Sequence, residues 1–232
     1  RCPVCDDNRL VPVPRFPGVA YRRCQRCGLL VAERWPGEPH GAARGWWGDA
    51  SRGWPNVRDA GCPAVGRRPA ELFLYTREYQ RLSGRPPGRL LCVVRSEELG
   101  TIDTCVAAAQ RAGWNATCVT MAALMRGDVA LEDPPDLVIV LDAAHQCSHP
   151  ARLLTELRAR AAAGAFFLFR VLEWSFAERP RPVTSPLFWP LLFSRPAFDH
   201  LCRDAGLEPV HTDSVAAEGQ LEVWLRARTC EF

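Results

Sequence analysis

Residues 136–157 read DLVIVLDAAHQCSHPARLLTEL, and the fold of the chain follows from that stretch. The run 136–141 is apolar on consecutive positions rather than alternate ones. A strand of this kind is buried on both faces, as in the interior of a parallel sheet. A polar turn follows, and a helix is expected over 149–163, with Ser148 as its N-cap and Pro150 in its first turn. The same alternation extends outward in both directions. A short apolar strand is expected over 89–94, an amphipathic helix over 102–112 ended by Gly113, and a second strand over 115–120. Beyond 157 come a buried strand over 165–171 and a helix over 195–205 closed by Gly206. Pro69 and the apolar Leu72, Phe73, Tyr79 and Leu82 predict a further helix over 69–83. Two final β segments, near Val210 and over 221–226, are set to pair as an antiparallel hairpin across residues 216–219. Strands buried on both faces and separated by helices make an α/β protein, with an open, doubly wound, mostly parallel sheet.

The N-terminal residues obey a different pattern. Cys2 and Cys5, then Cys24 and Cys27, form two Cys-x-x-Cys knuckles with 18 residues between them. That spacing predicts a four-thiolate zinc site; two disulfides or an iron–sulfur centre are the alternatives. A closed four-cysteine shell leaves no position for water or substrate, so the ion expected is structural zinc. Gly28 permits the positive φ that such a turn often needs. Residues 21–23 and 29–31 suit the short strands of a ribbon. The organisation expected is a zinc ribbon over 1–36, an irregular Trp/Gly/Pro-rich linker over 37–68, and an α/β domain over 69–232. In the linker, Trp46, Trp47 and Trp54 read as packing or interface residues, with an aromatic cage as the sharper alternative.

Composition narrows the function classes. The 232 residues are 47% apolar and 24% charged, an ordinary globular balance. All 29 basic residues are arginine, which excludes a lysine Schiff base, a P-loop lysine and a kinase-type lysine. A formal charge of +3 spread along the chain is no nucleic-acid footprint. No run is long enough to span a membrane and no signal-peptide pattern opens the chain, so a cytoplasmic protein is expected. Cys92, Cys105, Cys118, Cys147 and Cys202 lie in apolar runs and read as buried, reduced thiols.

Taken in order, CPVC, YRRCQRCGLL, GRLLCVV, the stretch 136–157, AGAFFLFRV and SRPAFDHLCRDAGLEPV are together similar to one family: class I S-adenosylmethionine-dependent methyltransferases with an N-terminal zinc ribbon. The resemblance implies a Rossmann-like sheet and S-adenosylmethionine as cofactor. It also implies cofactor contacts in the loop after residue 91, where the family reads Asp-x-Gly-x-Gly-x-Gly. Those four positions are here Cys92, Val94, Ser96 and Glu98, with Gly100 offering a glycine in shifted register. An acidic residue ends the family's second strand and holds the ribose; here Thr120 stands there. Losing that charged acceptor should cost about 1.5–3 kcal/mol. With the crowded loop, binding is expected to fall by about a thousandfold or be lost, at roughly 1.4 kcal/mol per decade.

After the fourth strand the family's Glu-His pair corresponds to His145 and Gln146, with His149 at a later aspartate. Asp142, His145 and His149 are therefore the candidate acid–base residues, at the strand end where α/β folds place ligands. The plainer reading is that His149 starts a helix and His145 caps a loop. Residues 173–196, rich in proline and aromatic side chains, read equally as a substrate lid or as a packing or dimer surface. The expected function is that of a divergent methyltransferase-fold protein of bacterial sugar or secondary-metabolite biosynthesis. Its cofactor binding is weakened or lost, and the pocket is reused for acid–base chemistry on a small molecule. The alternatives are a non-catalytic relative whose ribbon docks a partner biosynthetic enzyme, and a still-active methyltransferase. Neither nucleic acid nor a membrane is an expected partner, and self-association into a homo-oligomer stays open.

Overall fold

The structure is a computed structural model that describes residues 1–13, 20–33, 68–94, 101–141, 144, 147, 149–173, 191–215 and 220–228. Three short strands, β1 (Leu10–Val13), β2 (Tyr21–Cys24) and β3 (Leu30–Ala32), carry the N-terminal cysteines. The main body follows with α1 (Arg68–Ser83), β4 (Arg89–Val94), α2 (Thr101–Arg111), β5 (Asn115–Thr120) and α3 (Met121–Arg126). It continues with β6 (Leu137–Leu141), α4 (Pro150–Arg160), β7 (Phe166–Leu172), β8 (Leu191–Leu192), α5 (Arg195–Asp204), β9 (Leu207–Val215) and β10 (Gln220–Ala227).

Six strands form one sheet in the order β5-β4-β6-β7-β10-β9. The first four are parallel, and β10 runs antiparallel to both β7 and β9. This is the doubly wound, mostly parallel sheet with a C-terminal hairpin that the sequence predicts. Successive side chains of a strand point to opposite faces. Leu90, Cys92, Leu137, Ile139, Phe166, Leu168 and Trp224 therefore pack beneath α1 and α2. Leu91, Val93, Val138, Val140, Phe167, Phe169 and Val223 pack beneath α3, α4 and α5. Helix α1 is fixed by a buried polar relay as well as by apolar contact. The Trp114 indole donates to Thr76 Oγ1 at 2.8 Å, and Thr76 Oγ1 donates to the Leu72 carbonyl at 2.7 Å.

Several local expectations are corrected. Asp136 lies just before β6 rather than in it, and its carboxylate accepts from the Arg89 amide at 2.9 Å, tying the starts of β6 and β4 together. The N-cap of α4 is His149, not Ser148, and it makes no side-chain capping bond; Pro150 at the first helical position needs no donor there. Helix α3 was not anticipated, because β5 runs into it without a turn residue between.

The cysteine module is not a separate body. Strand β3 pairs antiparallel with β8, which lies between β7 and α5 in the chain, so the module's sheet reads β1-β2-β3-β8. Cys2, Val4, Cys24, Cys27 and Leu29 belong to the same buried cluster as Phe169, Leu191, Phe193 and Phe198. The expected linker over 37–68, with its tryptophans, lies outside the described residues apart from Arg68.

Candidate functional site

The two knuckles bring all four expected thiols together. Their sulfurs lie within 4.8 Å of one another, with Cys2 and Cys27 3.6 Å apart and Cys5 and Cys24 3.5 Å apart. A tetrahedral shell at about 2.3 Å per zinc–sulfur bond has sulfur–sulfur edges of about 3.8 Å. The donor set and its spacing therefore fit a four-coordinate zinc ion. Each knuckle closes on its own backbone: the Asp6 amide donates to the Cys2 carbonyl at 3.0 Å and the Gly28 amide to the Cys24 carbonyl at 2.9 Å. Asp6 and Gly28 both adopt positive φ, 55° and 80°. A hydrogen bond from Cys27 holds the Cys2 thiol down at about 5. Burial raises Cys5 to about 11, and the bond that Cys27 donates to Cys2, together with burial, pushes Cys27 up. Ligation needs thiolates, and a bound cation would supply the charge that lets four neighbouring thiols ionise together.

The second region is the carboxyl end of the parallel strands, where open α/β sheets bind ligands. Strand β4 runs without a break through Val94, which is buried and lies opposite Thr120 of β5. Cys92 is likewise buried in that strand. Thr120 is engaged elsewhere: its hydroxyl accepts from the Ala123 amide at 3.1 Å and caps α3. Ser96, Glu98 and Gly100 lie outside the described residues. Above β4 and β6 is a recess lined by Leu72, Cys92, Val94, Cys105, Ile139 and Leu141, all hydrocarbon or sulfur. His149 is exposed at the start of α4, while Asp142 and His145 lie outside the described residues.

The structure also reveals a polar cluster that sequence reasoning missed. Arg170 stands on β7 opposite Leu141 of β6 on one side and Glu222 of β10 on the other. Its side chain is only 7% exposed. Its Nε donates to Glu222 Oε1 at 2.8 Å, and its terminal nitrogen lies 3.2 Å from Glu71 of α1. The same nitrogen meets the Tyr75 hydroxyl, which donates to Glu222 Oε1 at 2.9 Å. Burial pushes the Tyr75 phenol well above its ordinary value, so it stays a donor. The signal in the sequence was the single charge inside FFLFRVL, since a charge in a buried strand requires a partner.

No protein-family model and no curated protein matches the chain. Solved structures do. The plantazolicin methyltransferase BpumL, in complex with a monoazolic desmethylPZN analog and SAH, is similar over 69% of this chain and 84% of its own, with a TM-score of 0.52 and 10% identity. The plantazolicin methyltransferase BamL, in complex with a triazolic desmethylPZN analog and SAH, is similar over 69% of this chain and 85% of its own, with a TM-score of 0.50 and 10% identity. At these identities the likeness shows the fold alone, and that fold is the class I S-adenosylmethionine-dependent methyltransferase fold.

Proposed function

We propose that this chain is a divergent methyltransferase-fold protein acting on a small molecule in a biosynthetic pathway, with S-adenosylmethionine binding weakened or lost. The observation that carries this reading is the state of the first two parallel strands. Strand β4 stays extended through Val94, where the family resemblance calls for a glycine turn. A β-branched residue does not take the backbone angles that a glycine supplies there. At the end of β5 the residue is not acidic, and its hydroxyl is committed to capping α3. These residues do not fit the cofactor. Of the three acid–base candidates, His149 is the described one, exposed at the start of α4. The alternative, a non-catalytic partner of another biosynthetic enzyme, draws support from the hydrocarbon and sulfur lining of the recess.

Zinc is proposed as the occupant of the four-cysteine site, in a structural role. The expected result of calorimetry with S-adenosylmethionine and with its homocysteine product is no binding tighter than about millimolar, given the thousandfold weakening estimated at about 1.4 kcal/mol per decade. Micromolar binding of either would overturn the reading and restore an active methyltransferase.

A further inference from the structure

We propose that the four-cysteine centre is a keystone of the α/β domain, acting through Ser194, and that loading it with zinc sets the order of β8 and α5. The inference rests on the reading of the four cysteines as a zinc site. Ser194 occupies a double position. Its hydroxyl donates to the carbonyl of Cys27, a thiolate ligand, at 2.7 Å. The same oxygen accepts from the Ala197 amide at 3.2 Å and is the N-cap of α5. One buried oxygen therefore joins the second knuckle to the first turn of a helix that begins 168 positions after Cys27.

Three further contacts confine this joint. Leu30 pairs with Leu192 and Val31 with Leu191, which places β8 as the fourth strand of the cysteine module's sheet. Phe193, fully buried, stacks edge-on against Phe198 of α5 at 5.7 Å. Gly28, at φ 80°, leaves the space that Ser194 fills: a Cβ there would come within 2.8 Å of its hydroxyl oxygen. Gly28 thus serves two needs at once, the left-handed turn of the knuckle and the close approach of the helix cap. Without metal the second knuckle has no ion to hold Cys24 and Cys27 against Cys2 and Cys5. The Cys27 carbonyl, and with it the acceptor for Ser194, loses its fixed position.

The test uses the full chain, loaded with zinc and then stripped with a chelator, and follows amide hydrogen exchange by peptide. Metal removal is expected to speed exchange about tenfold or more in β8 and α5 as well as in β2 and β3. In Ser194→Ala, zinc transfer to a chromogenic chelator should be about tenfold faster, the low end of the effect of losing an outer-shell partner. Ser194→Thr, which keeps the hydroxyl, should restore the slow rate. The cobalt(II) absorption bands should be the same in all three proteins, since the four thiolates are unchanged. Faster exchange confined to residues 1–33, with β8 and α5 unaffected, would overturn the proposal. So would unchanged zinc transfer in Ser194→Ala. A purified protein that holds no metal would overturn the zinc assignment itself.

Discussion

Replacing Arg170 with methionine should cost roughly 3–5 kcal/mol, the loss seen when one partner of a buried ion pair is removed. The guanidinium lies 2.7 Å and 2.8 Å, through two nitrogens, from one oxygen of Glu222 and 3.2 Å from Glu71. Those carboxylates are themselves only 16% and 20% exposed, so water replaces little of what is lost. Each charge-assisted bond forfeited is worth about 1.5–3 kcal/mol. Methionine fills a similar length, so the cavity contribution is small. Among the described residues, the Tyr75 hydroxyl would remain as the side-chain donor to Glu222.

Urea unfolding should show a lower midpoint with an unchanged slope. A thermal scan should show a fall of about 6–20 °C, at roughly 2–4 °C per kcal/mol for a chain of this size. Adding Glu222→Gln should recover part of the loss, because it discharges one of the two stranded carboxylates. A loss under about 1 kcal/mol, or strictly additive effects in the double variant, would refute the account of this cluster as a mutually dependent buried network.

Gly28→Ala should destabilise the protein by at least ~2 kcal/mol, because it adds left-handed strain to a contact of 2.8 Å with Ser194; chemical denaturation of the zinc-loaded protein reads it. Thr120→Ala should cost about 1 kcal/mol, the worth of an N-cap, and leave any affinity for the homocysteine product unchanged; lost affinity at unchanged stability would instead assign the hydroxyl to the ligand. The protein should lose stability as pH rises from about 9 toward 12. Burial raises Cys147 and Tyr21 each to about 12. Between the unfolded and folded values the unfolded chain ionises and the folded one does not, so stability falls by up to about 1.4 kcal/mol per pH unit for each group. Urea midpoints from pH 8 to 11 should fall less steeply in Cys147→Ala, and parallel slopes would contradict this.

Strand β4 could be read to the residue because it is an apolar run preceded by Gly88, and its burial is a property of the run itself. Strand β5, NATCVT at the sheet edge, mixes polar and apolar residues and was legible from Gly113 before it and its β-branched content. Features made by contacts distant in sequence were not legible. A two-residue strand such as β8 has no periodicity; it exists because β3 lies beside it. Ser194 caps α5 just before Arg195 and Pro196, yet its bond to Cys27 spans 167 positions. Thr120 both ends a strand and starts a helix, so the turn residues that mark a boundary are missing there. At the candidate site, the cysteine spacing was decisive because each short knuckle turn fixes a pair of thiols, and the four meet within 4.8 Å. Arg170 and its partners come from three separate elements, and only the single charge inside an apolar run hinted that they must meet.

The joint between β3 and β8 also bears on where the chain can be cut. Residues 1–33 are too few to bury a core of their own, and small modules of this kind depend on metal or on a neighbour. Strand β3 would otherwise be an open edge. The dependence runs both ways, since Leu191, Leu192 and Phe193 are at most 2% exposed with the module in place. Uncovering three such side chains costs about 4.5–9 kcal/mol as an upper estimate, at about 1.5–3 kcal/mol each. That is comparable to the whole stability of an ordinary domain, about 5–15 kcal/mol. Residues 69–232 produced alone should therefore aggregate or show expanded, dye-binding behaviour without a cooperative transition. A truncated protein that unfolds in one sharp step, with near-native stability, would mean that the module merely rests on the sheet. Its hydrophobic contacts would then be incidental, and the α/β domain would be closed without it.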